Sequence, residues 1–236
     1  MGNMVLFVAG LVLTVFDSSD SAWSSISDIV NHIRKTSDPD AIPRDRHSPL
    51  EVEVQFNPVN ILEADPKTKR TELIVWQDIR WNVRSLGWAE QGISDIHSVT
   101  VPAKYLWLPD LTFYNTISAP EPLVPQLVVV NIDGGVLWVP SLKLTTLCDV
   151  TSGVSTCVIK MGSWTYSEDD VKLTAKTYAS NYVTDSLYEL VSSEVNVTNI
   201  VYTCCTQVYT QAEFKIQFRK KTGKRNKKMK SEQTRK

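Results

Sequence analysis

The chain of 236 residues has few of the side chains that build metal and nucleophilic sites. It contains three histidines and four cysteines, and it lacks GxSxG, HExxH, P-loop and dinucleotide-binding glycine motifs. His32, His47 and His97 have no motif partner and are expected to be solvated. The acidic run at 168–170 is expected to be a solvated loop, with a calcium site as the alternative. We therefore expect no enzyme, no cofactor and no metal site.

Long apolar runs are also scarce. The run from Val5 to Phe16 suits the core of a secretory signal peptide and is too short to span a bilayer. A basic segment before it is missing, and a buried N-terminal helix or strand is the alternative. We expect a signal peptide over residues 1–21, a secreted, extracellular product, and no membrane span in the mature chain.

Charge is unevenly distributed, although the net charge is only −1. Residues 219–236 hold ten Lys or Arg and one Glu, whereas residues 22–218 hold 15 basic and 23 acidic residues. An acidic body is not a nucleic-acid-binding surface, and the basic tail has no aromatic residues among its cations. We predict a folded domain over 22–218, a disordered basic tail over 219–236, and no nucleic-acid partner.

The four cysteines permit three pairings. Cys148 and Cys157 can close a short local loop, which would leave the adjacent Cys204 and Cys205 to bond to each other. A vicinal disulfide is strained and rare, and strain often marks a functional position. Two free thiols, or crossed bridges between the two pairs, are the alternatives. The sequon at Asn196 gives one candidate glycosylation site.

Periodicity predicts one helix followed by many strands. Apolar residues at helical spacing are Ile26, Ile29, Val30 and Ile33. Strands are predicted at 51–56, 73–83, 127–132, 135–139 and 214–218, with shorter runs at 158–159, 171–173, 187–191 and 201–202. One face of the strand over 73–83 carries Val75, Ile79, Trp81 and Val83. With a hairpin signal at Asp133-Gly134, this pattern predicts an all-β sandwich or barrel.

Aromatic residues beside turns are the most informative feature. Tyr114 closes the segment WLPDLTFY, Trp164 follows Gly-Ser, and Tyr202 and Tyr209 flank the adjacent cysteines. Ring faces can hold a cation without a carboxylate or a metal, at about 0.5–2 kcal/mol for each contact. Core packing is the alternative for any single ring.

In their order along the chain, these motifs resemble the extracellular ligand-binding domain of Cys-loop receptors, most closely as it occurs in the soluble acetylcholine-binding proteins of molluscs. The resemblance spans about residues 23–221. It rests on WQDIRW (76–81), WLPDLTFYN (107–115), DGGVLWVPS (133–141), the Cys148–Cys157 loop, GSW (162–164) and YTCCTQVY (202–209). It implies an N-terminal helix, a sandwich of about ten strands, and a homopentameric ring that binds ligands between neighbouring subunits.

The resemblance also implies the residues of the site. The principal face would carry an aromatic cage closed by the vicinal disulfide: Tyr114, Trp164, Tyr202, Tyr209, Cys204 and Cys205. The complementary face would carry Trp81 beside an apolar wall of Val129, Leu137 and Val139. Small cationic cholinergic ligands, such as acetylcholine or nicotine, would bind there, and an apolar wall would favour ligands with an uncharged, lipophilic end.

Two departures from membrane receptors indicate a binding protein without a channel. The loop between Cys148 and Cys157 has eight residues and no Phe or Pro, whereas the receptors have thirteen and an apolar tip. A basic segment stands where their first membrane helix would begin. The alternatives are a structural or carrier protein, whose basic tails join pentamers into larger particles, and a subunit that joins and blocks true receptors.

Overall fold

The computed structural model describes Trp23 and residues 25–221. The predicted signal peptide and most of the predicted tail (222–236) lie outside the described residues, so assembly through the tail stays a prediction. In the described part, one α-helix precedes twelve strands. Their bounds are α1 Ile26–Thr36, β1 Leu50–Ala64, β2 Arg70–Asn82, β3 Ser98–Pro102, β4 Leu111–Phe113, β5 Glu121–Pro122, β6 Leu127–Asn131, β7 Gly135–Trp138, β8 Ser141–Leu147, β9 Val154–Ser163, β10 Val171–Thr177, β11 Tyr188–Val201 and β12 Val208–Lys220.

The helix begins at a capping box. The Ser25 hydroxyl accepts a hydrogen bond from the Asp28 amide at 3.3 Å, and the Asp28 carboxylate accepts one from the Ser25 amide at 3.0 Å. Ile29 and Ile33 are fully buried on the predicted apolar face, while Ile26 in the first turn is exposed. The predicted helix is therefore confirmed.

The strands form two sheets that pack against each other. One sheet has the order β10-β1-β2-β7-β6-β3, with β8 paired to β2 and β5, and the other has the order β11-β12-β9-β4. Among the described strands, all pairs are antiparallel except β1 with β10, which is parallel. This architecture confirms the predicted helix followed by a β-sandwich. The strands predicted from the residues leave out β3, β4, β5 and β8; of these, β4 and β5 have three and two residues and are too short to show alternation.

The core lies between the sheets. Phe56 of β1 and Phe214 of β12 stack with their ring centroids 4.5 Å apart, and both side chains are fully buried. Ile216 and Phe218 continue the buried face of β12, as the alternation predicts. The hairpin between β6 and β7 turns at Gly134, whose positive φ of 82° favours glycine.

Only the two ends of strand β11 are predicted from the sequence. The runs predicted at 187–191 and 201–202 belong to the two ends of one fourteen-residue strand. Residues 192–199 between them are mostly polar because β11 is an edge strand and this stretch faces solvent. Asn196, the predicted glycosylation site, is exposed on this strand.

The last strand extends beyond the predicted end of the domain. Arg219 and Lys220 belong to β12, and the Arg219 guanidinium pairs with the Glu189 carboxylate on β11 at 3.0 Å. The boundary predicted between residues 218 and 219 therefore lies inside β12.

We predict that Phe214→Ala lowers the free energy of unfolding by about 3–5 kcal/mol, because it removes the ring stacked on Phe56 and leaves a cavity. Urea unfolding followed by circular dichroism measures this change. Leu187→Ala is the control, since Leu187 is 64% exposed and its change should stay within about 0.5 kcal/mol. A similar small loss for Phe214→Ala would contradict its place at the centre of the core.

Candidate functional site

The six residues predicted for the principal face line one surface cavity of about 490 Å³. Three separate parts of the chain supply them: the residue after β4, the residue after β9, and the connection from β11 to β12 together with Tyr209 at the start of β12. The cavity is completed by Ser163 and Gln211. The structure thus brings together Tyr114, Trp164, Tyr202, Cys204, Cys205 and Tyr209.

Four aromatic rings form the walls of this aromatic cavity in two pairs. The centroids of Tyr114 and Trp164 are 6.2 Å apart, and those of Tyr202 and Tyr209 are 5.6 Å apart in an edge-to-face arrangement. Trp164 is 68% exposed, so one of the largest side chains of the protein is open to the surface. None of the residues lining the cavity carries a formal charge. The rings are therefore the main groups there that can attract a cation.

Tyr114 is held as a neutral hydrogen-bond donor. Its hydroxyl donates to the Ser163 carbonyl at 2.9 Å. Burial, with smaller contributions from Tyr202 and Asp110, raises the pKa of Tyr114 to about 12. The ring consequently stays protonated throughout the physiological pH range, and its orientation is fixed by the carbonyl just before Trp164.

Gly162 gives Tyr114 the room to lie across β9. A Cβ atom at position 162 would stand 2.5 Å from the Tyr114 hydroxyl and 2.7 Å from the Thr210 carbonyl oxygen. Those separations are far below van der Waals contact. The glycine of the GSW segment is thus required by close packing beneath the aromatic cavity.

Asp110 anchors both flanks of Trp164, a role that sequence analysis missed. Its carboxylate accepts hydrogen bonds from the Ser163 hydroxyl at 2.5 Å, and from the Thr165 amide and hydroxyl at 2.7 and 2.6 Å. Bonds to an ionised acceptor are stronger than neutral ones. An acidic residue ending the WLPD segment, with Ser and Thr on either side of Trp164, is the signal that could have revealed it.

The structure contains both predicted disulfides. Cys148–Cys157 is buried and joins the end of β8 to β9, while Cys204–Cys205 lies in the hairpin between β11 and β12. The Cys205 amide donates to the Tyr202 carbonyl at 3.1 Å, which closes a turn around the vicinal pair. The vicinal disulfide therefore borders the aromatic cavity.

The structure corrects the assignment of Trp81 to the complementary face. Trp81 is 5% exposed, and its ring packs edge-on against Trp107 with centroids 6.3 Å apart. Side chains an odd number of residues apart on a strand point to opposite faces. Trp76, five residues earlier on β2, accordingly points outward and is 39% exposed. Trp81 is a core residue, and Trp76 is the tryptophan of this strand that the surface presents.

The three residues of the predicted apolar wall lie on the outer face of the first sheet. Strand register places Val129 opposite Leu137, and Leu137 opposite Arg80 on β2, while Val139 is exposed just beyond β7. Arg80 forms an ion pair with Asp78 at 3.4 Å. A charged pair on β2 therefore lies beside the predicted apolar wall. None of these residues lines the aromatic cavity of the same chain.

Comparison with protein families matches residues 26–222 to the neurotransmitter-gated ion-channel ligand binding domain. The chain belongs to this family. The match covers almost all of the described residues, including every element that borders the aromatic cavity. In the part of the chain that the structure describes, no helix is long and apolar enough to cross a membrane.

Individual relatives of this ligand-binding domain are receptor subunits. The chain is 22% identical to acetylcholine receptor subunit alpha-type acr-15 of Caenorhabditis elegans over 90% of its own length and 45% of the relative. It is 25% identical to neuronal acetylcholine receptor subunit eat-2 of Caenorhabditis briggsae, over 90% and 46%. For subunit alpha-4 of Gallus gallus the identity is 25%, over 68% and 27%. The chain thus spans less than half the length of these relatives.

We predict that Asp110→Asn weakens binding of tetramethylammonium, the simplest quaternary ammonium probe, about tenfold. The amide keeps the size of the side chain but replaces an ionised acceptor of three hydrogen bonds, so Trp164 loses its fixed position. Isothermal titration calorimetry measures the affinity, and urea unfolding shows whether the fold is intact. Asp95→Asn, at an exposed position, is the control and should change nothing. Equal affinity in both variants would exclude a positioning role for Asp110.

Proposed function

We propose that the chain is a secreted binding protein without a channel, which captures acetylcholine and related cholinergic cations between the subunits of a homopentamer. This is the role that the resemblance to molluscan acetylcholine-binding proteins implies. The observation that carries the proposal is the uncharged aromatic cavity with Trp164 open at its surface. A quaternary ammonium group sheds its water at little cost and is well matched to several ring faces.

The position of Trp164 supports a site shared by two subunits. With 68% of its area exposed, the ring needs a second surface to exclude water from a bound ligand. The outward strip of Trp76, Val129, Leu137 and Val139 lies on the other sheet and cannot reach the cavity of its own chain. A neighbouring copy can supply that strip. A closed ring of identical subunits gives each interface one face of each kind.

Features of the Cys148–Cys157 loop support a protein with no channel to couple to. Thr151 donates from its hydroxyl to the Val154 carbonyl at 2.9 Å and from its amide to the Ser155 hydroxyl at 3.0 Å. The loop is therefore short, polar and closed on itself. The two disulfides suit the oxidising compartment of a secreted protein, and Asn196 is exposed, as glycosylation would require.

We place Trp76, in place of Trp81, on the complementary face of this site. Its ring is exposed on the same outward face of the first sheet as Leu137 and Val129. The Asp78–Arg80 ion pair lies on the same face of β2, between Trp76 and the apolar residues. The far end of a ligand would therefore meet one aromatic ring, apolar side chains and one charged pair.

Acetylcholine and its neutral analogue 3,3-dimethylbutyl acetate test the cage directly. Calorimetry on the protein, shown to be pentameric by light scattering, should give much tighter binding of the cation. Trp164→Ala should weaken acetylcholine binding at least about thirtyfold, because a desolvated cation–π contact contributes about 2 kcal/mol or more. Equal affinity for the two compounds would contradict the cage. Absence of binding at millimolar acetylcholine would favour the structural or carrier role.

The two tryptophans of β2 should respond differently to replacement. Trp76→Ala should lower acetylcholine affinity and leave urea unfolding unchanged, because the side chain is on the surface. Trp81→Ala should lower the free energy of unfolding by about 3–5 kcal/mol, as expected for a buried ring. Unchanged affinity in Trp76→Ala would remove this residue from the site.

A further inference from the structure

A second cavity, of about 330 Å³, lies between the two sheets. It opens beside the segment 120–126, and it shares no lining residue with the aromatic cavity. None of its lining residues carries a charge. Its walls include Ile79, Phe113, Trp138 and Leu142, and the two amide side chains in it are Gln77 and Gln126.

The two amides differ in how their hydrogen-bonding capacity is used. Gln126 accepts from the Trp138 indole at 3.1 Å and donates to the Val124 carbonyl at 2.8 Å, so both ends have partners. Gln77 is 3% exposed, and within residues 25–221 its side chain makes one hydrogen bond, to the Met161 sulfur at 3.0 Å. A thioether is a weak acceptor, and the carbonyl oxygen of Gln77 is left to accept from another group.

The carbonyl oxygen of Gln77 can accept a hydrogen bond from a water molecule or from a ligand in the cavity. The lining residues carry no charge and include two aromatic rings, against four in the aromatic cavity, so this cavity offers a cation less and an anion no partner of opposite charge. The volume lies within the range of small-molecule pockets. The occupant that matches these features is neutral, mostly apolar, and carries a single hydrogen-bond donor.

We infer that this inter-sheet cavity is a binding site for small neutral molecules of phenol type, with the hydroxyl donating to the Gln77 carbonyl oxygen. The ring of the ligand packs against Trp138 and Phe113. The site is complete within one chain, and it does not depend on the cholinergic function proposed for the aromatic cavity.

A pair of fluorinated probes tests this site on the full chain. Fluorine NMR line broadening should show 4-fluorophenol binding about fivefold more tightly than 4-fluorotoluene, which lacks the donor. Gln77→Leu, which keeps the approximate volume, should remove that difference. Leu142→Trp, which fills the cavity, should weaken both probes at least tenfold. Leu147→Trp, on the exposed end of the same strand, is the matched control and should leave both affinities unchanged.

Three outcomes would overturn the inference: no binding of either probe to the folded protein, equal affinity for both probes, or binding that Leu142→Trp does not reduce. Equal affinity would mean that water alone satisfies Gln77. If Leu142→Trp does not fold, crystals soaked with 4-bromophenol decide the matter, since the anomalous signal of bromine must lie against Trp138. Acetylcholine titrations on the Gln77 variant, expected to be unchanged, separate this site from the aromatic cavity.

Discussion

Packing of β1 against β12 through Phe56 and Phe214 is the interaction on which the rest of the molecule depends. It fixes β12 relative to the first sheet, and β12 in turn pairs with β9, which pairs with β4. The register across these strands aligns Thr112, Gly162 and Gln211 in one row. Because β4 is antiparallel to β9, the end of β9 that leads to Trp164 lies beside the start of β4 and next to the β11–β12 hairpin. The Tyr114 side chain reaches this end across β9, where its hydroxyl donates to the Ser163 carbonyl, and the aromatic cavity is the result.

The side chains that line the aromatic cavity carry no formal charge, and this property determines which ligands it would suit. The carboxylate of Asp110, next to Trp164 in space, accepts hydrogen bonds from Ser163 and Thr165 on either side of that residue. Tyr114 stays neutral because burial raises the pKa of its hydroxyl to about 12. Under the proposed function, a cation would meet ring faces and dipoles, which favour a weakly hydrated ammonium over a strongly hydrated metal ion.

The two cavities differ in where they lie and in how far their side chains are exposed. The aromatic cavity is at the surface, where Trp164 is exposed. The inter-sheet cavity lies between the two sheets of one chain, opens beside residues 120–126 and contains one buried amide side chain, that of Gln77. All three residues of β4 line the inter-sheet cavity, and Tyr114, the residue that follows this strand, lines the aromatic cavity. Adjacent residues at the end of this strand therefore lie in two different environments.

The sequence by itself determined the local features of this protein: the capped helix with Ile29 and Ile33 inward, the alternation at Phe214 to Phe218, the turn at Gly134, and the ordered motifs of the principal face. The pattern even placed Trp81 with Val75 and Ile79, the face that proved to be the core. Only the tertiary structure decided that Trp76 is the exposed tryptophan, that Asp110 anchors Trp164, and that Gln77 borders a cavity. Each of these depends on contacts between residues far apart in the chain, which no local periodicity records.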